Sequence, residues 1–224
     1  MIRLLSTFML SLMFTCGYSS ANAKDKTAER HIRVAAIAIV EGLSAPCITA
    51  ANGSLIECSL NTRTLSEAQK IKAPDGVIHV YADKMDASKN PPAKPMQIIN
   101  LGSATNIILI FIPTERNYKI MQIQDNAVPF GAIGLINGTT SKIIYKKGTE
   151  QSTLLKSGML GIIKCQNNDG FEMMISAQND EGKMKLIRNT IWQISNEQRE
   201  FVFIYGAAPD AKFHHIVDFK KDIN

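Results

Sequence analysis

Charge of one sign, aromatic side chains and long apolar runs are all scarce in this chain, and each shortage removes a class of function. Of 224 residues, 25 are Lys or Arg and 20 are Asp or Glu, for a net charge of +5, and there is a single Trp. The basic residues are dispersed; Lys146-Lys147 and Lys220-Lys221 are the doublets. A nucleic-acid interface needs a basic stripe, best interleaved with aromatics, so no nucleic acid is expected as a partner. The longest apolar runs, such as Ile107 to Ile112, are strand-sized. They fall far short of the roughly 20 residues of a spanning helix, so no transmembrane segment is expected.

Signatures of chemistry are missing as well. The chain has no Gly-x-Ser-x-Gly elbow, His-Glu-x-x-His pair, phosphate loop or dinucleotide fingerprint. Its histidines are His31, His79, His214 and His215. The last two are adjacent on a predicted strand and point to opposite faces, so they cannot simply share a metal. No catalytic residue, metal ligand or cofactor is assigned, and the chain reads as a non-enzyme. Met159, Met173, Met174 and Met184 read as strand-core filler, and Trp192 as a residue of the core or of a module interface.

What is present begins with a leader. Arg3, the apolar stretch Leu4 to Phe14 and the small-x-small site Ala21-Asn22-Ala23 predict a signal peptide, residues 1–23, cleaved after Ala23. Loss of Arg3 with the leader takes the formal charge from +5 to +4. The mature chain is then exported, to the periplasm or the extracellular space.

The mature chain repeats itself. IILIFIPTERNYKIMQIQD (107–125) aligns without a gap with EFVFIYGAAPDAKFHHIVD (200–218) at an offset of 93. AIAIVEG (36–42) aligns with AIGLING (132–138) at 96, and DGVIHVYA (75–82) with DGFEMMIS (169–176) at 94. Three anchors in one order predict a tandem duplication. Each copy reads as eight short strands rich in Ile and Val, punctuated by Gly, Pro, Asn and Asp, as an all-β sandwich requires. Candidates in the first copy are 32–40, 46–51, 54–60, 68–72, 76–82, 95–100, 106–112 and 117–124. Those in the second are 130–136, 141–147, 150–155, 159–165, 170–177, 184–194, 199–205 and 212–219. The predicted fold is therefore all-β: two β-sandwich, immunoglobulin-like modules at 32–126 and 129–220. The linker Asn126-Ala127-Val128-Pro129 is short enough that the modules should touch. SKNPPAKP (88–95) reads as an exposed loop.

Several residues stand out. Ile107 to Ile112 is apolar on both faces, so it is either covered on both sides, by the other module, or it marks an interaction strand through Ile108, Ile110 and Ile112. Asn52-Gly53 fits a two-residue type I′ turn, which would set Cys47 directly opposite Cys58 and make them a disulfide candidate in an oxidising compartment; reduced core cysteines are the alternative. Cys165 has no evident partner and reads as buried in a strand. Asp125 and Asp218 end the two repeats and read as turn-closing residues. Asn52-Gly53-Ser54 and Asn137-Gly138-Thr139 match the glycosylation sequon and are read as turns.

On its export signal, its two-module plan and pieces such as RVAAIAIVEGL (33–43) and FGAIGLINGTTSKIIYKKG (130–148), the chain resembles uncharacterised exported bacterial proteins made of two repeated β-sandwich domains. That resemblance implies no activity. The expected role is non-catalytic: structural, binding or envelope-assembly, with an envelope or cell-surface protein or polymer as partner. Two alternatives stay open. A secreted hydrolase or lyase on a β scaffold would show perturbed carboxylates or histidines clustered in a concave pocket. A periplasmic pilus-type chaperone is similar in size, export and two-domain plan, and IILIFIP (107–113) looks like its donor strand. The sequence departs from that family at its arginine-lysine anchor and its proline signatures.

Overall fold

The central strand of each repeat is apolar on both faces and must be covered twice, and the architecture follows from that need. The structure is a computed structural model describing residues 29–90, 92–165, 170–179, 181–207 and 210–220. The expected signal peptide, residues 1–23, and its cleavage point lie outside the described residues. The first module contains β1 (Glu29–Ala36), β2 (Cys47–Ala50), β3 (Leu55–Glu57), β4 (Gln69–Lys72), β5 (Val77–Tyr81), helix α1 (Lys84–Ser88), β6 (Gln97–Asn100), β7 (Asn106–Pro113) and β8 (Tyr118–Gln124). The second contains β9 (Ala132–Asn137), β10 (Ile143–Lys147), β11 (Thr153–Leu155), β12 (Leu160–Lys164), β13 (Phe171–Gln178), β14 (Met184–Trp192), β15 (Gln198–Tyr205) and β16 (Lys212–Phe219). No described helix is long and apolar enough to cross a membrane.

The duplication extends to topology. The first module has sheets of order β4-β1-β7-β8 and β3-β2-β5-β6; the second has β12-β9-β15-β16 and β11-β10-β13-β14. Each order in one module maps strand for strand onto the other. Even the less common feature repeats: β1 runs parallel to β7, and β9 parallel to β15, within otherwise antiparallel sheets. The all-β tandem sandwich expected from the sequence is the observed fold.

Side-chain alternation stacks these sheets in four layers. Ile107, Leu109 and Phe111 face the first module's own core with Ile32, Val34, Ile48 and Ile78. Their neighbours Ile108 and Ile110 face the other way and meet Phe201, Phe203, Ile136 and Ile216 of the second module. Val202 and Ile204 then turn into the second module's core with Ile133, Leu135 and Ile175. β7 and β15 are thus each buried on both faces, back to back. Fully burying such a side chain contributes about 1.5–3 kcal/mol, so the shared layer is a third core rather than a loose domain contact. Gly134 serves this layer by having no side chain. A Cβ there would stand 2.7 Å from Val128 Cγ2 and 3.1 Å from Leu160 Cδ1, closing the space that the buried linker residue occupies.

Two of the three sequence anchors prove to be out of register. The 93-residue offset holds, since Ile108 and Ile110 share a face with Phe201 and Phe203. Parallel pairing puts Val34 beside Leu109 and Leu135 beside Val202, so Val34 corresponds to Leu135, an offset of 101 rather than 96. The 94-residue anchor matches the core residues Ile78 and Val80 to Glu172 and Met174. The second module's core residues on that strand are instead Met173, Ile175 and Ala177.

A one-residue difference also decides the cysteine pair. Ala50 N–H donates to Ser54 O (3.0 Å) and Gly53 N–H to Ala50 O (2.9 Å), closing a three-residue loop with Gly53 at φ +82°. This is the turn-plus-bulge hairpin, not the two-residue turn expected. Cys47 therefore opposes Glu57, and Cys58 lies one residue further on. A one-residue slip flips a side chain to the other face. Cys58 packs in the first core while Cys47 lies on the outer face toward Asp83 and Lys84 at the start of α1; both thiols are free. Helix α1 was not expected; Asp83 caps it by accepting from Asp86 N–H at 2.7 Å.

Truncating Phe203 to Ala is expected to cost about 3–5 kcal/mol in urea denaturation, with wild type unfolding in a single transition. A biphasic wild-type curve would contradict the shared core. Alkylation of unreduced, denatured protein is expected to label Cys47, Cys58 and Cys165 as thiols; a linked Cys47–Cys58 peptide would refute this register.

Candidate functional site

At one margin of the layer between the modules, the apolar stripes of four strands end in charge. Arg33 is in phase with Ala35 and Ile37, Arg199 with Phe201 and Phe203, Asp218 with Ile216, and Asp125 with Ile123. Strand alternation therefore aims Arg33, Arg199 and Asp218 into the same place, and Asp125 joins them from the short 3-10 turn that follows β8. Asp218 accepts from both ends of Arg33, Nη1 to Oδ2 at 2.7 Å and Nη2 to Oδ1 at 2.6 Å. Arg199 Nε donates to Asp218 Oδ2 at 2.8 Å and its Nη2 to Asp125 Oδ1 at 2.6 Å. Arg199 Nη1 also holds the linker, donating to Val128 O at 3.0 Å and to Asp125 O. Its guanidinium lies 4.8 Å from the centre of the Phe130 ring. Each repeat-ending aspartate thus receives the other module's arginine.

Two guanidiniums against two carboxylates leave the cluster formally neutral. Arg199 and Asp218 are each about 4% exposed, Arg33 is 15% and Asp125 is 32%. Burial pushes the Asp218 carboxyl upward. The hydrogen bonds and charges of Arg33 and Arg199 outweigh that and hold it below the usual carboxylate range. That is the signature of a structural ion pair, whereas a general acid needs a raised value. Such a pair buried at an interface fixes orientation more than it adds stability, since desolvation consumes much of the attraction. Beside the cluster lies a hollow of about 270 Å³ whose walls include His31, Asn106, Phe130 and Phe219. A second, of about 300 Å³, adjoins it through Asn106 and Asp125 and is lined by Ser103, Thr105, Gln124 and Asn126.

A strap from the first module completes the junction. Ser66 N–H donates to Val34 O (2.8 Å), and Val217 N–H of β16 donates to Arg63 O (2.8 Å). Leu65 is buried in the shared core between them. His214 Nε2 donates to Thr62 O at 2.5 Å. Burial lowers the pKa of His214, against the pull of the Thr62 carbonyl, and His215 adds to the drop. His215 faces the other side of β16, 2.7 Å from Glu200 and edge-on to Trp192. The two histidines therefore diverge, as their adjacency implied.

The remaining sequence candidates are dispersed. Ile108 and Ile110 lie in the shared core with Ile112 packed against it, so this face is covered within the chain. Trp192 belongs to the second module's core. Of the methionines, Met173 is core, but Met159, just before edge strand β12, and Met184, at the start of edge strand β14, are exposed, contrary to expectation. Cys165 is half-buried just after β12 rather than enclosed in a strand; burial pushes its thiol to about 11 and that of Cys58 to about 12. Among the described residues no group of His, Cys, Asp and Glu is arranged to hold a metal. Neither a protein-family model nor a curated protein matches the sequence.

The outer sheets carry a second feature. Across β3-β2-β5-β6, direct neighbours form the row Leu55, Thr49, His79, Ile98; across β11-β10-β13-β14 they form Leu154, Ile144, Ser176, Leu186. Leu55, Ile98, Leu154 and Leu186 are all exposed, so each row is apolar at both edges.

Removing Asp218 leaves buried Arg199 and partly buried Arg33 each short of a partner, and Asp218→Ala is expected to lose about 3–5 kcal/mol at pH 7. Because the folded pKa lies below the unfolded value of about 3.9, this contribution is complete above that value and vanishes as pH falls through the folded one. Urea titrations are expected to show wild type losing its advantage over Asp218→Ala below about pH 4; a constant gap at lower pH would contradict the assignment.

Proposed function

We propose that this chain is an exported, non-catalytic two-module β protein with a structural or assembly role, whose partner is an envelope or cell-surface protein or polymer. Export rests on the leader read in the sequence. The observation that carries the non-catalytic reading is the state of the ionic cluster at the junction. Arg33, Arg199, Asp125 and Asp218 are bonded to one another, Arg199 holds the linker as well, and Asp218 is held ionised. A hydrolase needs a group poised to exchange a proton near working pH, and this cluster supports a fastening role instead. The stack of four sheets it fastens carries one module's outer sheet at each end, an arrangement suited to scaffolding.

Crosslinking of the mature protein in its native envelope, with mapping of the crosslinked lysines, tests this. The expected outcome is one stoichiometric partner joined through lysines beside the outer sheets, such as Lys84 or Lys146. Turnover of an envelope polysaccharide by the purified protein, abolished by Asp125→Asn without loss of stability, would overturn the proposal.

A further inference from the structure

The chain contains two Asn-Gly pairs in the same sequon-like setting, Asn52-Gly53-Ser54 and Asn137-Gly138-Thr139. The fold treats them oppositely. Asn137 is completely buried. Its Nδ2 donates to Ser141 O (2.8 Å) and Leu155 O (3.0 Å), and its Oδ1 accepts from the N–H (3.0 Å) and hydroxyl (2.7 Å) of Thr139. Gly138 N–H donates to Ile204 O at 2.7 Å, which ties the amide to the central strand β15. Asn52 and Gly53, by contrast, are exposed at the tip of the β2–β3 hairpin. No atom beyond the chain neighbours lies within 4 Å of where a Gly53 side chain would begin. Asn52 Oδ1 accepts from Ser54 N–H at 3.0 Å, a bond that draws electron density from Cγ.

We propose that Asn52-Gly53 is a site of intrinsic self-modification, where the Gly53 backbone nitrogen displaces the Asn52 side-chain amide, and that Asn137-Gly138 is a protected counterpart. The attacking nitrogen bears no side chain on its Cα to obstruct it, and the tip has room for the ring that forms. In the first step the Gly53 N–Asn52 Cγ bond forms and the Cγ–Nδ2 bond breaks. The Gly53 amide proton and the Nδ2 group leave as ammonia. In the second step one water opens the cyclic imide at either carbonyl, giving aspartate or isoaspartate; no oxidant, reductant or cofactor takes part. Only one short-range bond, Gly53 N–H to Ala50 O, must open first, and hairpin tips open at low free-energy cost. At Asn137 the same step requires breaking into the core of the second module. The product carries a new negative charge. In its isoaspartyl form it places Cβ in the main chain, which removes the Ser54-to-Asn52 contact and resets the hairpin.

The test is peptide mapping by mass spectrometry of the folded full chain held at mildly alkaline pH in heavy-oxygen water. Amide-to-acid conversion is expected at Asn52 at least about tenfold faster than at Asn137. The product should be a mixture of aspartyl and isoaspartyl peptides carrying heavy oxygen. In urea the two sites should react alike, since only folding separates them, and Asn52→Gln should abolish the conversion at residue 52. Equal conversion of the two sites in the folded protein, or an inert Asn52 under conditions where the urea-unfolded chain reacts, would overturn the proposal.

Discussion

A strand buried on both faces cannot end a fold; something must lie on each side of it. That constraint, applied twice at β7 and β15, organises this molecule. One face of each strand is satisfied by its own module's second sheet. The other is satisfied only when the two modules press these faces together. The modules are therefore not beads on a string. Linker, strap and ionic cluster are consequences of that contact. Val128 is buried with it, Leu65 reaches into it from the strap, and the Arg-Asp cluster closes its polar margin.

The division of labour between burial and charge follows from magnitudes. Each large apolar side chain in the shared core contributes about 1.5–3 kcal/mol, with no directional preference. A layer of Ile, Phe and Ala could slide or rotate with modest loss. The bidentate Arg33–Asp218 pair and the Arg199 bonds to Asp125, Val128 and Asp218 are directional, and they are satisfied in one arrangement. Apolar area holds the modules together, and the ionic cluster selects how.

Strand positions and module count were legible in the sequence because both rest on local pattern: short Ile- and Val-rich runs bounded by turn residues. That Ile107 to Ile112 needs cover on both faces was legible for the same reason, but not whether Ile108, Ile110 and Ile112 meet the other module or an outside partner; the fold covers Ile108 and Ile110 within the chain. Register was not legible. Low-identity repeats match equally well at neighbouring offsets, so Ala36 was set against Ala132 although the two face different cores. One residue in the β2–β3 loop separated Cys58 from Cys47, and no composition rule distinguishes the two hairpin types at Asn52-Gly53. Arg33 and Arg199 were overlooked because lone arginines in strands read as solvated. Their phase was the available signal: each alternates with residues of the shared core. Asp125 and Asp218 were noticed as a pair, but their partners come from distant strands, a relation that only topology supplies.

The central claim is that the two modules form one cooperative unit through the layer between β7 and β15. Native-state hydrogen exchange of the amides in these two strands, followed across low denaturant concentrations, tests it most directly. If the shared core holds, the slowest amides of both strands should converge on the same opening free energy, equal to that of global unfolding. Distinct opening free energies for the two strands, with one module exchanging while the other stays closed, would contradict it.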